Sequence, residues 1–245
     1  YTPVKNWEQL PEGYHHRDVC GMDVDDQDRV YVLTRGESRV LVYEKDGRFV
    51  ESWGDELLTN GTHGIRLGSG GAVFCVSNGE HTVNKFSVDG RLEFMIGTPG
   101  VASKSGGPFH APTGIDIAPN GEFYVSDGYG NSRVHHFSAD GELIRSWGEP
   151  GTGPGQFALP HSGCYTIDDR VLVADRENDR IQVFTPEGMF AEEWTHLQRP
   201  TDIYMDAHGL IYVSELKWLR GEESGRHGTV SEDLHGRVSV LDSNG

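Results

Sequence analysis

The stretch PTGIDIAPNGEFYVSDGYGNSRVHHFSADGELIRSWG, residues 112–148, decides the fold of this chain. Two apolar segments, Pro112–Ile117 and Phe123–Ser126, flank a polar turn, and Arg133–Phe137 alternates with the period of a half-buried strand. Gly141 then supplies the positive φ of a tight hairpin, and the next segment closes on an aromatic residue followed by Gly. The stretch therefore predicts a sheet of four consecutive antiparallel strands.

The same module recurs through the whole chain. Its first strand begins at Asp18, His63, Pro112, Pro160 and Pro200. A spacing of roughly 40 to 50 residues is typical of β-propeller blades, each of four strands. No stretch shows sustained helical periodicity, so the predicted fold class is all-β: a β-propeller with five visible four-stranded modules.

The fifth module is predicted to be incomplete. The chain ends at its hairpin turn, Asn244-Gly245, so that blade lacks its fourth strand. We expect a single domain over residues 1–245, C-terminally incomplete, from a six-bladed ring whose last blade follows Gly245. The segment Val4–Leu10, with Trp7, would supply the outer strand of that blade. Residues 217–235 interrupt the fifth module and are predicted to form a long surface loop.

Composition narrows the set of partners. The 245 residues carry a formal net charge of −17, which disfavours nucleic acid and is an ordinary means of keeping a soluble protein monodisperse, as a monomer. No apolar run approaches the ~20 residues that span a bilayer, so no membrane association is expected. The three cysteines are widely spaced and predict buried thiols rather than a disulfide framework. The cellular compartment stays open.

Three motifs resemble a known family, the peptidyl-α-hydroxyglycine α-amidating lyases and their bacterial relatives within the NHL-repeat six-bladed propellers. The motifs are Ser126–Arg133 (SDGYGNSR), Gly155–Phe157 followed by Pro160–Ser162, and Ala174–Gln182 (ADRENDRIQ). Weaker similarity covers most of the chain. The implied reaction is the cleavage of a carbinolamide to an amide and glyoxylate, on a peptide or a related small substrate.

The resemblance also implies two metal sites. A zinc ion would be held by histidines at the starts of inner strands, which correspond to His63 and His161. The family's third histidine lies in the sixth blade, beyond the end of this sequence, and the matching position in the fifth module is Thr201. A structural calcium would face the backbone carbonyls of Met22 and Ile65.

By the same resemblance, Tyr129 would be the general base, and Arg35 and Arg176 would lie near the substrate. The chemistry is coherent, because zinc favours imidazole nitrogen and keeps a ligand position open for a substrate hydroxyl. Arginine suits a carboxylate because its planar fork donates two hydrogen bonds at once. Simpler roles exist: Tyr129 as a loop aromatic, and Arg35 in a surface ion pair with Glu37.

Other histidines and arginines are interpreted as structural. Arg133 and Arg180 belong to the turn between second and third strands and are expected to be scaffold residues. The adjacent pairs His15-His16 and His135-His136 point to opposite strand faces and are expected at the surface. His227 and His235 lie in the insertion, which could fold over the axis.

Two other functions remain open at this point. The first is a non-catalytic propeller that binds a peptide or protein. The second is a calcium-dependent lactonase-like hydrolase, which ranks last because its chemistry requires acidic axial ligands and this chain offers histidines there.

Overall fold

The computed structural model describes residues 2, 4–15, 17–37, 39–103 and 107–245, which form two compact units, 1–102 and 103–245. The predicted all-β class is confirmed, and the sheets are arranged as five propeller blades. Among the described residues, helical structure is limited to two three-residue 3₁₀ turns. The expectation of one domain over the whole chain stays a prediction, as does the sixth blade.

The first unit contains two blades, each an antiparallel sheet whose strands follow chain order. A 3₁₀ turn at Ser69–Gly71 connects the first two strands of the second blade. The first blade comprises β1 (Val19–Val24), β2 (Val30–Thr34), β3 (Val40–Tyr43) and β4 (Phe49–Trp53), and the second comprises β5 (Thr62–Leu67), β6 (Val73–Ser77), β7 (Thr82–Phe86) and β8 (Leu92–Ile96).

The second unit contains three more blades and two short accessory sheets. Blades three and four are four-stranded, whereas blade five has three strands, as the sequence predicts. Blade three has β9 (Gly114–Ile117), β10 (Phe123–Asp127), β11 (Arg133–Phe137) and β12 (Leu143–Trp147), and a parallel pair follows, β13 (Glu149–Pro150) with β14 (Gln156–Phe157). Blade four has β15 (Pro160–Tyr165), β16 (Val171–Asp175), a 3₁₀ turn (Arg176–Asn178), β17 (Arg180–Phe184) and β18 (Phe190–Trp194). Blade five has β19 (Pro200–Met205), β20 (Ile211–Glu215) and β23 (Arg237–Leu241), interrupted by the hairpin β21 (Glu223–Ser224) and β22 (Gly228–Thr229).

Apolar strands pack between neighbouring blades within each unit. The second strands β6, β10 and β16 are buried along their whole length, whereas the fourth strands β12 and β18 are mostly exposed. Burial on both faces explains why the second strands are continuous apolar runs rather than alternating ones. The core of each unit therefore lies between its sheets.

The aromatic residue that closes a fourth strand packs on the hairpin glycine of the following blade. A Cβ at Gly90 would lie 2.6 Å from the Trp53 ring, and one at Gly188 would lie 2.7 Å from the Trp147 ring. Only a residue without a side chain allows this approach, and both glycines have positive φ.

The segment Val4–Leu10 repeats this arrangement on the first blade. A Cβ at Gly47 would lie 3.2 Å from the Trp7 ring, and the Gln9 N–H donates to the Gly47 carbonyl at 2.9 Å. Trp7 therefore occupies the place that Trp53 and Trp147 take on the hairpins of the blades that follow them, while the sixth blade to which this segment was assigned stays a prediction.

Candidate functional site

A shift of strand register creates a special position near the start of the inner strands. In β5, Thr62 pairs with Ser77 and Gly64 pairs with Val76, so His63 is an extra residue. The same shift occurs in three other inner strands. The extra residues are Cys20, His63, His161 and Thr201. Both histidines of the predicted zinc site thus occupy equivalent points of their blades.

Hydrogen bonds fix the orientation of the His161 ring, which is 9% exposed. Its Nδ1 lies 2.7 Å from the carbonyl oxygen of Thr201 on the neighbouring inner strand. Because a carbonyl only accepts, Nδ1 carries the proton and Nε2 presents its lone pair. The Tyr129 hydroxyl lies 3.2 Å from Nε2 and donates to it.

Glycines on both sides of Tyr129 bring its loop against this histidine. A Cβ at Gly128 would lie 2.1 Å from the Pro160 carbonyl oxygen, next to His161. A Cβ at Gly130 would lie 2.2 Å from Cγ of His110. The two glycines of the sequence SDGYGN are therefore required for the close approach of the loop to its neighbours.

Arg176 completes this group. It begins the 3₁₀ turn after β16, its N–H donates to the Leu159 carbonyl at 2.9 Å, and its side chain is 13% exposed. The guanidinium carbon lies 5.7 Å from the centroid of the Tyr129 ring. The structure thus brings three predicted site residues of the second unit together: Tyr129, His161 and Arg176.

Asp175, at the end of β16, holds the segment that leads to His161. Its carboxylate accepts the N–H groups of Ala158 and Leu159 at 2.9 and 3.3 Å and the Nε–H of Arg180 at 2.9 Å. Burial raises the pKa of Asp175, although the hydrogen bonds that it accepts act in the opposite direction. Arg180 is only 2% exposed, which agrees with its predicted scaffold role.

A carboxylate that sequence reasoning missed lies beside Arg176. Glu177 Oε1 accepts hydrogen bonds from Arg176 Nε and Arg199 Nη2, both at 2.8 Å. Burial acts to raise the pKa of Glu177, but the two arginines outweigh it and hold that pKa below its usual range.

The first unit contains the remaining predicted site residues. Arg35 Nε donates to the Thr62 carbonyl at 3.0 Å, directly before His63. Its ion-pair partner is Asp18, 3.9 Å from Nη1, rather than the Glu37 expected from sequence. Arg35 therefore contacts the chain at the start of β5 rather than only the surface.

Met22 and Ile65 lie on β1 and β5, the two inner strands of the first unit. These strands approach closely, since a Cβ at Gly21 would lie 3.0 Å from the Ile65 nitrogen. Met22 is 59% exposed and Ile65 is 5% exposed. The Cys20 thiol lies 3.7 Å from Thr62 Oγ1, and burial raises its pKa.

The expectation for His135 and His136 is wrong, because both side chains are buried. His135 Nδ1 lies 2.7 Å from Ser146 Oγ, and His136 Nε2 lies 2.8 Å from Glu122 Oε2. Both faces of a propeller strand are covered, so alternation does not place one of them at the surface. His227 and His235 are exposed, and His16 lies outside the described residues.

Across residues 2, 4–15, 17–37, 39–103 and 107–245, no group of three or more His, Cys, Asp or Glu side chains is arranged to hold a metal ion. The three cysteines are free thiols; Cys75 and Cys164 are buried, as predicted, whereas Cys20 is only partly buried. No helix among the described residues is long and apolar enough to cross a membrane.

Comparisons with known proteins agree with the resemblance seen in the motifs. The NHL repeat model matches residues 109–137, which include Tyr129. Human NHL repeat-containing protein 3 is 34% identical over 204 residues, covering 78% of this chain and 58% of that protein. Peptidyl-α-hydroxyglycine α-amidating lyase 1 of Drosophila melanogaster is 29% identical over 226 residues, covering 84% of this chain and 41% of that protein.

A solved structure titled as a streptogramin B lyase superposes with a TM-score of 0.67 at 18% identity, covering 94% of this chain and 70% of that one. At this identity the likeness shows a shared fold. The chain spans 58% or less of each of the two curated relatives named above.

Proposed function

Because the chain is an NHL-repeat protein with amidating lyases among its relatives, we propose that it is a metal-dependent carbon–nitrogen lyase. Its reaction would cleave a carbinolamide of the hydroxyglycine type, or a related small substrate, to an amide and glyoxylate. The observation that supports this most is the group of Tyr129, His161 and Arg176.

We propose Tyr129 as the general base. Tyr129 is 44% exposed, and its hydroxyl lies 3.2 Å from His161 Nε2. Because the single Nε2 lone pair of His161 is the one proposed for zinc, His161 would not also take the Tyr129 proton; the phenol oxygen itself is proposed to accept the proton of the substrate hydroxyl.

Arg176 would hold the carboxylate of the substrate. Its Nε–H donates a hydrogen bond to Glu177, while its two terminal amino groups have no hydrogen-bond partner among the described residues. These groups form the edge of the guanidinium that binds a carboxylate with two parallel hydrogen bonds. In the proposed reaction the same carboxylate leaves as part of glyoxylate. Arg35 is proposed as the second arginine near the substrate.

The histidines fit a zinc site in their chemistry. An imidazole that binds a metal through one nitrogen usually donates a hydrogen bond from its other N–H to a carbonyl or carboxylate, and His161 makes this hydrogen bond to Thr201. We propose His161 and His63 as zinc ligands, with the third outside the described residues. Zinc would act as a Lewis acid toward the substrate hydroxyl. The backbone carbonyls of Met22 and Ile65 are proposed as ligands of a structural calcium.

The test combines zinc and calcium content with glyoxylate release from an N-acyl-α-hydroxyglycine. We expect about one zinc per chain, lost in the His63→Ala/His161→Ala double variant and retained in Tyr129→Phe. Tyr129→Phe should lower kcat by about 10²- to 10⁴-fold, the usual contribution of a general base. His208→Ala, which removes an exposed histidine of a blade-five turn, is the matched control. Absence of zinc from the parent protein after incubation with excess metal would overturn the lyase proposal.

A non-catalytic scaffold is the second candidate. It is supported by the absence of a three-ligand cluster from the described ranges and by the 34% identity to NHL repeat-containing protein 3, whose name states no activity. This candidate predicts no zinc and no glyoxylate release, with a peptide or protein partner whose binding is unchanged by Tyr129→Phe and His161→Ala.

A further inference from the structure

Arg176 is oriented by a second arginine through a shared carboxylate. Glu177 Oε1 accepts from Arg176 Nε and from Arg199 Nη2, each at 2.8 Å. A carboxylate oxygen between two guanidinium groups fixes both in direction, because each charge-assisted hydrogen bond is strong and directional. The terminal edge of Arg176 is thereby turned away from Glu177.

Arg199 is in turn held by the insertion in blade five. Its guanidinium carbon lies 4.5 Å from the centroid of the Trp218 ring, and its side chain is 21% exposed. Stacking of guanidinium on indole is the most favourable form of cation–π contact and limits the rotamers of the arginine. Trp218 itself is 4% exposed.

The insertion is anchored to blade four at Asp179. One carboxylate oxygen accepts Trp218 Nε1–H at 2.9 Å and the Arg199 N–H at 2.7 Å, and the other accepts the Ser224 hydroxyl. Asp179 has no exposed surface and a φ of 51°, so it is fixed by the turn that also contains Arg176. The expected surface loop is therefore a docked segment with its own hairpin.

We propose that Glu177, Arg199 and Trp218 are positioning residues that set the direction of the Arg176 carboxylate-binding edge, so that the docked insertion controls the affinity of the site for its carboxylate ligand. The inference rests on the proposed role of Arg176. It assigns a function in the site to a segment that the blade repeat does not contain.

The experiment uses the full chain labelled with ¹⁵N at arginine. The first readout is the Arg176 Nε–H resonance, assigned with Arg176→Lys, and the second is the affinity for glyoxylate as the carboxylate probe. Glu177→Gln and Trp218→Leu should both shift this resonance. Each should weaken glyoxylate binding by roughly ten- to a hundredfold, since displacement on the order of 1 Å has effects of that size. Trp218→Phe, which keeps an aromatic ring against Arg199, should retain most of the affinity for glyoxylate.

Two matched controls separate this coupling from general damage. Leu219→Ala removes an exposed apolar side chain from the same insertion, and Glu192→Gln removes a carboxylate from the outer strand β18. Neither should change the resonance or the affinity. Arg199→Lys keeps the charge but loses the planar stack, and it serves in place of Trp218→Leu if that variant does not fold.

The outcomes distinguish this inference from the proposed function. If glyoxylate binds but Trp218→Leu and Arg199→Lys leave the resonance and the affinity unchanged, the positioning role is overturned. If the Arg176 resonance responds to these variants but the parent protein binds no glyoxylate, the proposed carboxylate-binding role of Arg176 is overturned, and only the structural coupling of Arg176 to the insertion is retained.

Discussion

Replacement of Asp175 by alanine tests the account of how the segment before His161 is held. The buried carboxylate accepts two N–H groups, from Ala158 and Leu159, and side-chain donors that include Arg180. Asp175→Ala leaves the Arg180 guanidinium in a site that is 2% exposed, without its buried counter-charge.

The magnitude follows from the loss of one partner of a buried ion pair, which costs about 3–5 kcal/mol in stability. Arg180 keeps Glu193 at 2.7 Å, which lowers the expected loss toward ~3 kcal/mol. The orphaned N–H groups of Ala158 and Leu159 act in the other direction, at about 1–3 kcal/mol for each group that stays dry. We therefore expect a decrease of about 3–5 kcal/mol in the free energy of unfolding.

Urea unfolding followed by tryptophan fluorescence measures this change. Asp140→Ala, in an exposed hairpin turn, is the control and should change stability by no more than about 0.5 kcal/mol. In a double-mutant cycle with Arg180→Met, the coupling energy should lie in the range of about 0.5–3 kcal/mol. A loss below ~1 kcal/mol in Asp175→Ala would show that the carboxylate does not hold this segment, and the reasoning would be refuted.

Three further predictions concern the scaffold and the site. Gly188→Ala should lower the free energy of unfolding in urea by about 1–3 kcal/mol, because Gly188 has a φ of +79° and a Cβ there would overlap the Trp147 ring. Gly155→Ala is the control: Gly155 has a φ of +74° but a Cβ there would have no neighbour within 4 Å, so only the cost of backbone strain, about 1 kcal/mol, is expected. Because the pKa of Glu177 is lowered in the folded protein, its contribution to the free energy of unfolding is present above the unfolded-state pKa and is lost as the pH falls through the folded-state pKa. Glu177→Gln should therefore be less stable than the parent protein at pH 7, and the difference in stability should be smaller at pH 3. An equal difference at both pH values would contradict this. The Cys75 thiol, whose pKa burial raises, should be unreactive toward a disulfide reagent until urea unfolds the chain, and rapid labelling of the native protein would be inconsistent with its burial.

The blades were predictable because each uses local signals that do not depend on the rest of the chain. Phe123–Ser126 is an apolar run of strand length, and it forms the buried strand β10, which extends to Asp127. The hairpin glycines were predictable from turn chemistry alone, and Gly188 has the positive φ that this chemistry requires. The three strands of blade five were also predicted from the repeat.

The site was predictable only where the repeat carries it. Tyr129 and Arg176 lie in motifs of the second-to-third strand turns, so their neighbourhood could be expected from sequence. Trp218 and Arg199 could not be placed, because the insertion has no counterpart in the other blades and its docking depends on Asp179. The burial of His135 was missed for a different reason, since alternation describes a sheet that is open on one face.

The main chain, rather than a side chain, determines the protonation pattern of His161. Its Nδ1–H donates to the carbonyl of Thr201, at the equivalent position of the next inner strand, so no substitution of the Thr201 side chain removes the acceptor. The same register shift presents Cys20 and His63 in their own blades. The backbone thus provides the acceptor while the residue at the shifted position varies, so the chemistry can change from blade to blade without altering the fold. The two histidines at this position, His63 and His161, are the residues that we propose as zinc ligands.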